Sequence, residues 1–212
     1  MPLVKLTDNI SYLPASMHPF SADVVIIKTD KRSWLYDVGM GTTALEEIKK
    51  IQGPVNVVLS HFHPDHLANL PKIEYENLYV SKYTKRYTFT GQVVESDIHF
   101  QEIPEISIIN MPSSHAKGCL ALVCGDYAFL GDATYAKEKI GAHSYNAQLL
   151  YEMIRKMETL PVKYICMSHD SRFAIAKETV LTLYKDIYKR LEPGNPVISV
   201  EDYFNADGSV KQ

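Results

Sequence analysis

A short apolar run leads directly into four ionisable side chains, and this junction constrains the fold more than any other stretch. The run NVVLS at residues 56–60 is uninterrupted and rich in valine, which is typical of a strand buried on both faces. His61, His63, Asp65 and His66 follow it at once. Burying such groups costs free energy unless they have partners. The sequence therefore predicts that a metal ion holds them at the strand end.

The order of strands and helices around this junction recurs in the second half of the chain. In the first half, two strand-like runs and a helix that starts at Thr43, with a capping box to Glu46, precede the strand at 56–60. In the second half, a hairpin about Gly125, an amphipathic helix and a buried strand follow in the same order. A last helix is predicted over about 174–191.

This pattern predicts an α/β protein with two mixed β-sheets. Strands that alternate with helices in two similar halves favour sheets packed face to face with helices outside, a four-layer αββα sandwich. Low-complexity linkers are absent from the sequence, so a single domain over residues 1–212 is the simplest interpretation.

Composition favours a small-molecule substrate over nucleic acid or membrane. The chain has 22 Lys and Arg against 25 Asp and Glu, a formal net charge of −3, and no basic stripe that would follow a phosphate backbone. It shows neither a signal-peptide pattern nor an apolar run long enough to span a bilayer. Its three cysteines lie in apolar runs, as expected of free thiols in a reducing compartment. We therefore expect a cytoplasmic protein; the oligomeric state is left open.

The spacing at the junction can serve two metal ions. His61 and His63 lie two apart in an extended segment, project to the same side and can share one ion. The chain turns at Asp65 and His66, so their side chains project in a different direction and suit a second ion. Neither pair completes a coordination sphere by itself, so each ion needs donors from elsewhere in the chain.

Further donors stand at other predicted strand ends. His115, Asp132 and His169 each follow or precede an apolar strand-like run. Asp132 could bridge two ions, because a carboxylate has two oxygens and its charge offsets the repulsion between adjacent dications.

With these residues in this order, the chain resembles the metallo-β-lactamase fold superfamily over nearly its whole length. The pattern consists of Asp37 in YDVG, the HxHxDH loop at 61–66, His115, Asp132 and His169. The resemblance implies that Asp37 orients the metal-binding loop from outside the ligand set and that Asp132 bridges the two metals.

The resemblance also implies how the other ligands are divided. The first metal would be held by His61, His63 and His115. The second would be held by Asp65, His66 and His169. Zinc is favoured for this donor set, with iron and manganese as alternatives.

Two adjacent divalent ions imply a binuclear metallo-hydrolase. They can hold a bridging water as hydroxide at neutral pH, which would attack a small ester-type substrate. Asp65 could orient this hydroxide and accept its proton as the catalytic carboxylate. A thioester is favoured, because a thiolate leaves without a strong general acid.

Several activities of the resembled superfamily remain as alternatives. The nearest resemblance is to compact enzymes like glyoxalase II, but residues 171–212 are too short for that enzyme's separate glutathione-binding domain. Lactonase, phosphodiesterase and iron-dependent sulfur dioxygenase activities stay open. A β-lactamase is disfavoured, because those enzymes usually carry cysteine or serine where this chain has Asp132.

One N-terminal segment is a candidate substrate contact. The stretch 13–20 lies between two strand-like runs, and in the resembled superfamily the first hairpin loop overhangs the metal site. The resemblance therefore implies that His18 and Phe20 touch the substrate.

Overall fold

The computed structural model describes residues 2–139 and 142–200, in which short strands alternate with five helices. The elements of the first half are β1 (Val4–Lys5), β2 (Ile10–Leu13), β3 (Ser16–Met17), β4 (Phe20–Ser21), β5 (Val24–Lys28), β6 (Ser33–Tyr36), α1 (Gly41–Ile48), β7 (Val55–Val58), α2 (Pro64–Leu67), β8 (Asn77–Val80), α3 (Lys85–Thr88) and β9 (Gln92–Val93). The elements of the second half are β10 (Ile98–Phe100), β11 (Ile106–Met111), β12 (Cys119–Cys124), β13 (Tyr127–Phe129), β14 (Lys137–Lys139), β15 (Ala142–Asn146), α4 (Ala147–Thr159), β16 (Tyr164–Cys166), β17 (Ala174–Ala176), α5 (Lys177–Tyr188) and β18 (Val197–Ser199).

Two mixed sheets form the centre of the described fold. The first has the strand order β1-β2-β5-β6-β7-β8-β9, in which β6, β7 and β8 run parallel to one another. The second has the order β10-β11-β12-β13-β16-β17, in which β13 and β16 are the parallel pair. Two smaller pairings flank them, a β3-β4 hairpin and a β14-β15-β18 sheet.

Three apolar clusters show how the layers stack. One cluster joins the facing surfaces of the two sheets, where Trp34 and Tyr36 of β6 share a core with Leu120 and Leu122 of β12. A second fills the space between the first sheet and α1, and a third the space between the second sheet and α4 with α5. The order of layers is helix, sheet, sheet, helix, so the predicted α/β sandwich is confirmed.

Two helices begin at residues other than those predicted. Helix α1 begins at Gly41 with Met40 as its N-cap and no side-chain cap, so the capping box at Thr43 is wrong. The chain can start this helix early because Gly39 and Gly41 both adopt positive φ angles. The last helix begins at Lys177 rather than at 174, because residues 174–176 pair with β16 and extend the second sheet.

None of the helices in the described ranges is long and apolar enough to cross a membrane.

A buried glutamate in the segment after β10 forms hydrogen bonds and an ion pair with residues of the first sheet and of the turn before β6. Glu102 is 6% exposed, and its Oε2 accepts hydrogen bonds from Trp34 Nε1 at 2.8 Å and Thr29 Oγ1 at 2.7 Å. Arg32 Nε lies 3.1 Å from the other carboxylate oxygen. Trp34 itself is fully buried between the sheets.

We expect Glu102→Ala to lower the free energy of unfolding by about 2–4 kcal/mol, because it leaves the buried Trp34 indole N–H without its acceptor and Arg32 Nε without its ion-pair partner. Urea unfolding followed by tryptophan fluorescence measures this change. Glu105→Ala is the matched control, since Glu105 is exposed, and should change stability by less than about 0.5 kcal/mol. Equal effects of the two substitutions would contradict the role of Glu102.

Candidate metal centre

The loop after β7 carries four of the predicted ligands in two geometries. His61 and His63 lie in the extended segment between β7 and α2, and His63 is the N-cap of α2. Pro64 opens the helix, where a missing N–H costs nothing, so Asp65 and His66 fall in its first turn. His61 and His66 are fully buried.

The first cluster joins both halves of the chain. One side-chain atom from each of four residues lies within 4.8 Å of the others, and these residues are His61, His63, His115 and Asp132. His115 Nε2 lies 3.1 Å from His63 Nδ1 and 3.4 Å from Asp132 Oδ2.

The second cluster lies beside the first and has the same spacing. Its members are Asp65, His66, Asp132 and His169. Asp65 Oδ2 lies 3.1 Å from His169 Nε2 and 3.3 Å from His66 Nε2. His66 Nε2 is also 3.3 Å from Asp132 Oδ2.

Asp132 belongs to both clusters because of the turn that follows β13. Gly131, directly before it, has a φ of +55° and packs against Ser60 so closely that a Cβ would lie 2.7 Å from the Ser60 Cβ. A glycine is required there on both counts. The turn therefore brings the Asp132 carboxylate against the loop that follows β7.

The donor atoms fit divalent metal ions. His61 Nε2, His66 Nε2 and Asp132 Oδ1 are buried, and within the described part of the chain none of them has a hydrogen-bond partner. Buried polar atoms in native proteins nearly always have one. Imidazole and carboxylate groups grouped in this way are the usual ligands of zinc and related metals. The clusters can therefore hold metal ions at these atoms.

Burial keeps the histidines of the first cluster in their metal-binding form. It lowers the pKa of His61 well below its ordinary value, and it also lowers the pKa of His63 and of His115. Neutral imidazole is the form that binds a metal, so no proton has to be displaced from these three side chains at neutral pH.

His66 behaves differently because it lies between two carboxylates. Burial opposes its charged form, but Asp132 and Asp37 outweigh burial and raise the pKa of His66 well above its ordinary value. Burial likewise opposes the ionised form of Asp132, but His66 and then His61 hold the pKa of that carboxyl well below its usual range. The two carboxylates therefore favour the protonated form of His66.

Asp37 fixes the orientation of His66. It is fully buried at the end of β6 with a φ of +59°, and its Oδ2 accepts a 2.7 Å hydrogen bond from His66 Nδ1. The same carboxylate accepts hydrogen bonds from the backbone N–H and the hydroxyl of Ser60, both at 2.7 Å. With Nδ1 engaged in this way, His66 directs Nε2 into the second cluster.

Ser60 is a site residue that sequence reasoning missed. Since its hydroxyl donates to Asp37, its oxygen is free to accept from His61 Nδ1, which lies 3.0 Å away. That bond leaves His61 Nε2 for the first cluster. Its position between the buried strand and His61 was the signal that could have identified it.

The two candidate substrate contacts are placed differently. Phe20 stacks face to face on His169, with ring centroids 4.7 Å apart and an interplanar angle of 4°, and is 49% exposed. His18 is exposed at the turn of the same β3-β4 hairpin, and in the described residues it makes no hydrogen bond or ring contact with either cluster.

Comparisons with known proteins agree with this arrangement. A family model described as "Metallo-beta-lactamase superfamily" matches residues 18–105, the part that carries Asp37 and the 61–66 loop. A hydroxyacylglutathione hydrolase from Hamiltonella defensa subsp. Acyrthosiphon pisum is 25% identical over 155 residues, which are 67% of this chain and 62% of that relative's length.

Solved structures share the fold at low sequence identity. A metallo-β-lactamase superfamily protein from the archaeon Sulfolobus tokodaii superimposes with a TM-score of 0.63 at 16% identity, covering 89% of this chain and 90% of its own. A B3 metallo-β-lactamase with an active-site glutamic acid superimposes with a TM-score of 0.65 at 13% identity, covering 90% of this chain and 88% of its own.

The chain is thus similar to the metallo-β-lactamase superfamily in sequence over residues 18–105, and it shares the four-layer fold of solved members of that superfamily.

Proposed function

We propose that this protein is a metal-dependent hydrolase that cleaves a small ester-type substrate, with a thioester favoured. The observation that carries the proposal is the pair of His/Asp clusters that share Asp132. Two clusters of donors around one carboxylate favour two ions, because the carboxylate offers an oxygen to each and reduces the repulsion between them.

The proposed ligands follow from the two clusters. The first metal takes the three histidines His61, His63 and His115. The second takes Asp65, His66 and His169. Asp132 would serve both ions, which is supported by its membership of both clusters and by the position of its Oδ2, 3.4 Å from His115 Nε2 and 3.3 Å from His66 Nε2. We favour zinc, because five imidazoles and two carboxylates suit it well.

Bound in these clusters, two divalent ions would activate a water molecule and polarise the substrate carbonyl. Asp65 is the proposed catalytic carboxylate: its Oδ2 faces His66 and His169, and a carboxylate at this place can orient the attacking water and hold its proton. Asp37 acts through His66, whose ring it orients.

A thioester substrate is supported by the side chains around the site. The Tyr135 ring lies 6.4 Å from the His115 ring, but its hydroxyl donates a hydrogen bond to the Ser168 carbonyl. It is therefore poorly placed to protonate an alkoxide. A thiolate departs without such help. The relative from Hamiltonella is named for the hydrolysis of hydroxyacylglutathione, an acyl thioester.

A substrate panel tests the reaction class. We expect an S-acyl thioester to be cleaved with a kcat/KM roughly tenfold or more above that of a lactone, a bis(nitrophenyl) phosphodiester or a penam, since a tenfold preference needs only about 1.4 kcal/mol. Free thiol release and nitrophenolate absorbance measure these rates. Faster cleavage of the lactone or the phosphodiester would overturn the proposal that a thioester is the preferred substrate. Oxygen consumption with a persulfide, together with no hydrolysis of any substrate in the panel, would overturn the proposal that the protein is a hydrolase.

Metal analysis of protein purified without added metal tests the two-ion site. We expect about two equivalents of zinc per chain in the natural protein. Asp132→Ala should retain at most one equivalent and lose at least about a hundredfold in kcat/KM, because the bridging carboxylate is gone. Asp126→Ala, an exposed aspartate paired with Lys163, is the matched control and should change neither value. Two retained metals with full activity in Asp132→Ala would contradict the bridging role.

A third measurement tests the orientation of His66. Asp37→Asn should weaken binding of the second zinc by about 10–100-fold, because an amide cannot accept the three hydrogen bonds that the carboxylate accepts. Competition with a coloured chelator measures the two affinities. Asp8→Asn, at a surface ion pair with Lys5, should leave both unchanged. An unchanged second affinity in Asp37→Asn would exclude this role.

A further inference from the structure

His169 holds a backbone conformation that a histidine adopts at a cost. Its φ is +64°, in the left-handed region, where side chains other than glycine are strained by about 1–3 kcal/mol. Such a residue persists only where surrounding contacts hold it in place. His169 follows β16 in the second half of the chain, while the other residues of its cluster apart from Asp132 lie in the loop after β7. Contacts with other parts of the chain are therefore needed to hold His169 in this conformation.

A buried aspartate outside both clusters makes one of these contacts. Asp23 is 4% exposed, and its Oδ2 accepts a 2.9 Å hydrogen bond from the backbone N–H of His169. Its Oδ1 accepts a 3.0 Å hydrogen bond from the backbone N–H of Ala15. One carboxylate thus joins the start of the β3-β4 hairpin to the strained residue.

The same hairpin contacts the second cluster at two further points. The Phe20 ring lies flat on the His169 ring, with centroids 4.7 Å apart. The Ala22 N–H donates a 3.1 Å hydrogen bond to the Asp65 carbonyl. The hairpin segment 15–23 therefore holds the backbone of two members of the second cluster and the ring of one.

We propose that Asp23 and Phe20 are positioning residues for the second metal site, with Asp23 fixing the backbone of His169 and Phe20 its ring. The inference rests on the proposed function in one respect, that His169 and Asp65 bind the second metal. It assigns to Phe20 a role toward a proposed ligand instead of toward the substrate. Neither residue touches the reacting atoms in this account.

The chemistry of the carboxylate explains why aspartate stands at position 23. Two backbone N–H groups approach it from different parts of the chain, and a carboxylate offers one oxygen to each. Asparagine has the same shape but only one acceptor oxygen, so its NH₂ group would face one of the N–H donors. Asp23→Asn therefore removes one anchor and leaves a buried donor unpaired.

The effect should be confined to one metal. Within the described ranges, Asp23 and Phe20 make no hydrogen bond or ring contact with His61, His63 or His115. A loss of general stability would weaken both metals alike. A positioning role predicts a change at the second metal alone.

Zinc titration of the metal-free full chain, in competition with a coloured chelator, tests this inference. We expect Asp23→Asn to bind the first equivalent with natural affinity and the second about 10–100-fold more weakly, the range typical of residues that orient metal ligands. Asp8→Asn is the matched control. A second affinity within twofold of the natural protein would overturn the role of Asp23, as would an equal loss at both equivalents.

A second variant keeps the test valid if Asp23→Asn folds poorly. Phe20→Ala changes a half-exposed side chain and should weaken only the second equivalent, by about threefold to tenfold, since an aromatic pair contributes about 0.5–1.5 kcal/mol. Phe89→Ala is its control, because Phe89 is 85% exposed and makes no ring contact in the described part of the chain. An unchanged second affinity in Phe20→Ala would overturn the role of Phe20.

A metal-free measurement separates this inference from the proposed function. In the metal-free protein, amide hydrogen exchange at His169 should be at least about tenfold faster in Asp23→Ala than in Asp8→Ala, because alanine removes the acceptor of the His169 N–H. Unchanged exchange overturns the anchoring role. If the natural protein fails to bind two equivalents of zinc, this result counts against the proposed function. The role of Asp23 in anchoring His169 is then tested by the exchange measurement alone.

Discussion

The Asp37 carboxylate is the interaction on which the arrangement of the site depends. It lies at the end of β6 and accepts hydrogen bonds from the backbone and hydroxyl of Ser60, which follows β7, and from His66 in α2. Strands β6 and β7 of the first sheet and helix α2 are thus joined at one fully buried group. Hydrogen bonds to its oxygens stabilise this buried carboxyl group, so its partners are held in a narrow range of positions. Hydrogen bonds in this network set the ring orientations of His61, through Ser60, and of His66, through Asp37.

The two sheets share the construction of both clusters. The loop after β7 supplies two residues to each cluster, and the second sheet supplies the remainder from the ends of its strands. The relative position of the sheets therefore decides whether the donors meet. The apolar cluster around Trp34 and the buried Glu102 contacts hold that position from the other side of the interface. The geometry of the clusters therefore depends on the packing between the sheets, because a shift of one sheet against the other would separate Asp132 from the 61–66 loop.

The predictable part of this protein is the part encoded by local pattern. A buried strand followed by HxHxDH predicts both the strand end and the residues that cluster there, and the strand ends before Asp132 and His169 follow the same pattern. The start of α1 was missed because positive φ angles at Gly39 and Gly41 allow the helix to begin without a side-chain cap. Strand β17 lies inside the helix predicted over 174–191, because its pairing with β16 is decided by backbone hydrogen bonds across the sheet. Ser60 and Asp23 act on partners whose proximity depends on the finished fold.

The two clusters differ in how their residues are held in position, and this difference follows from chain topology. His61 comes directly from a buried strand end, so its place is set by the core that holds the strand. His169 comes from the other sheet with a strained backbone, and it contacts a hairpin 146 residues earlier in the chain. Its position therefore depends on a few identifiable contacts, whereas that of His61 depends on the whole sheet. The second site is consequently the one whose geometry small changes in the hairpin can adjust, and the first is the one that the fold itself maintains.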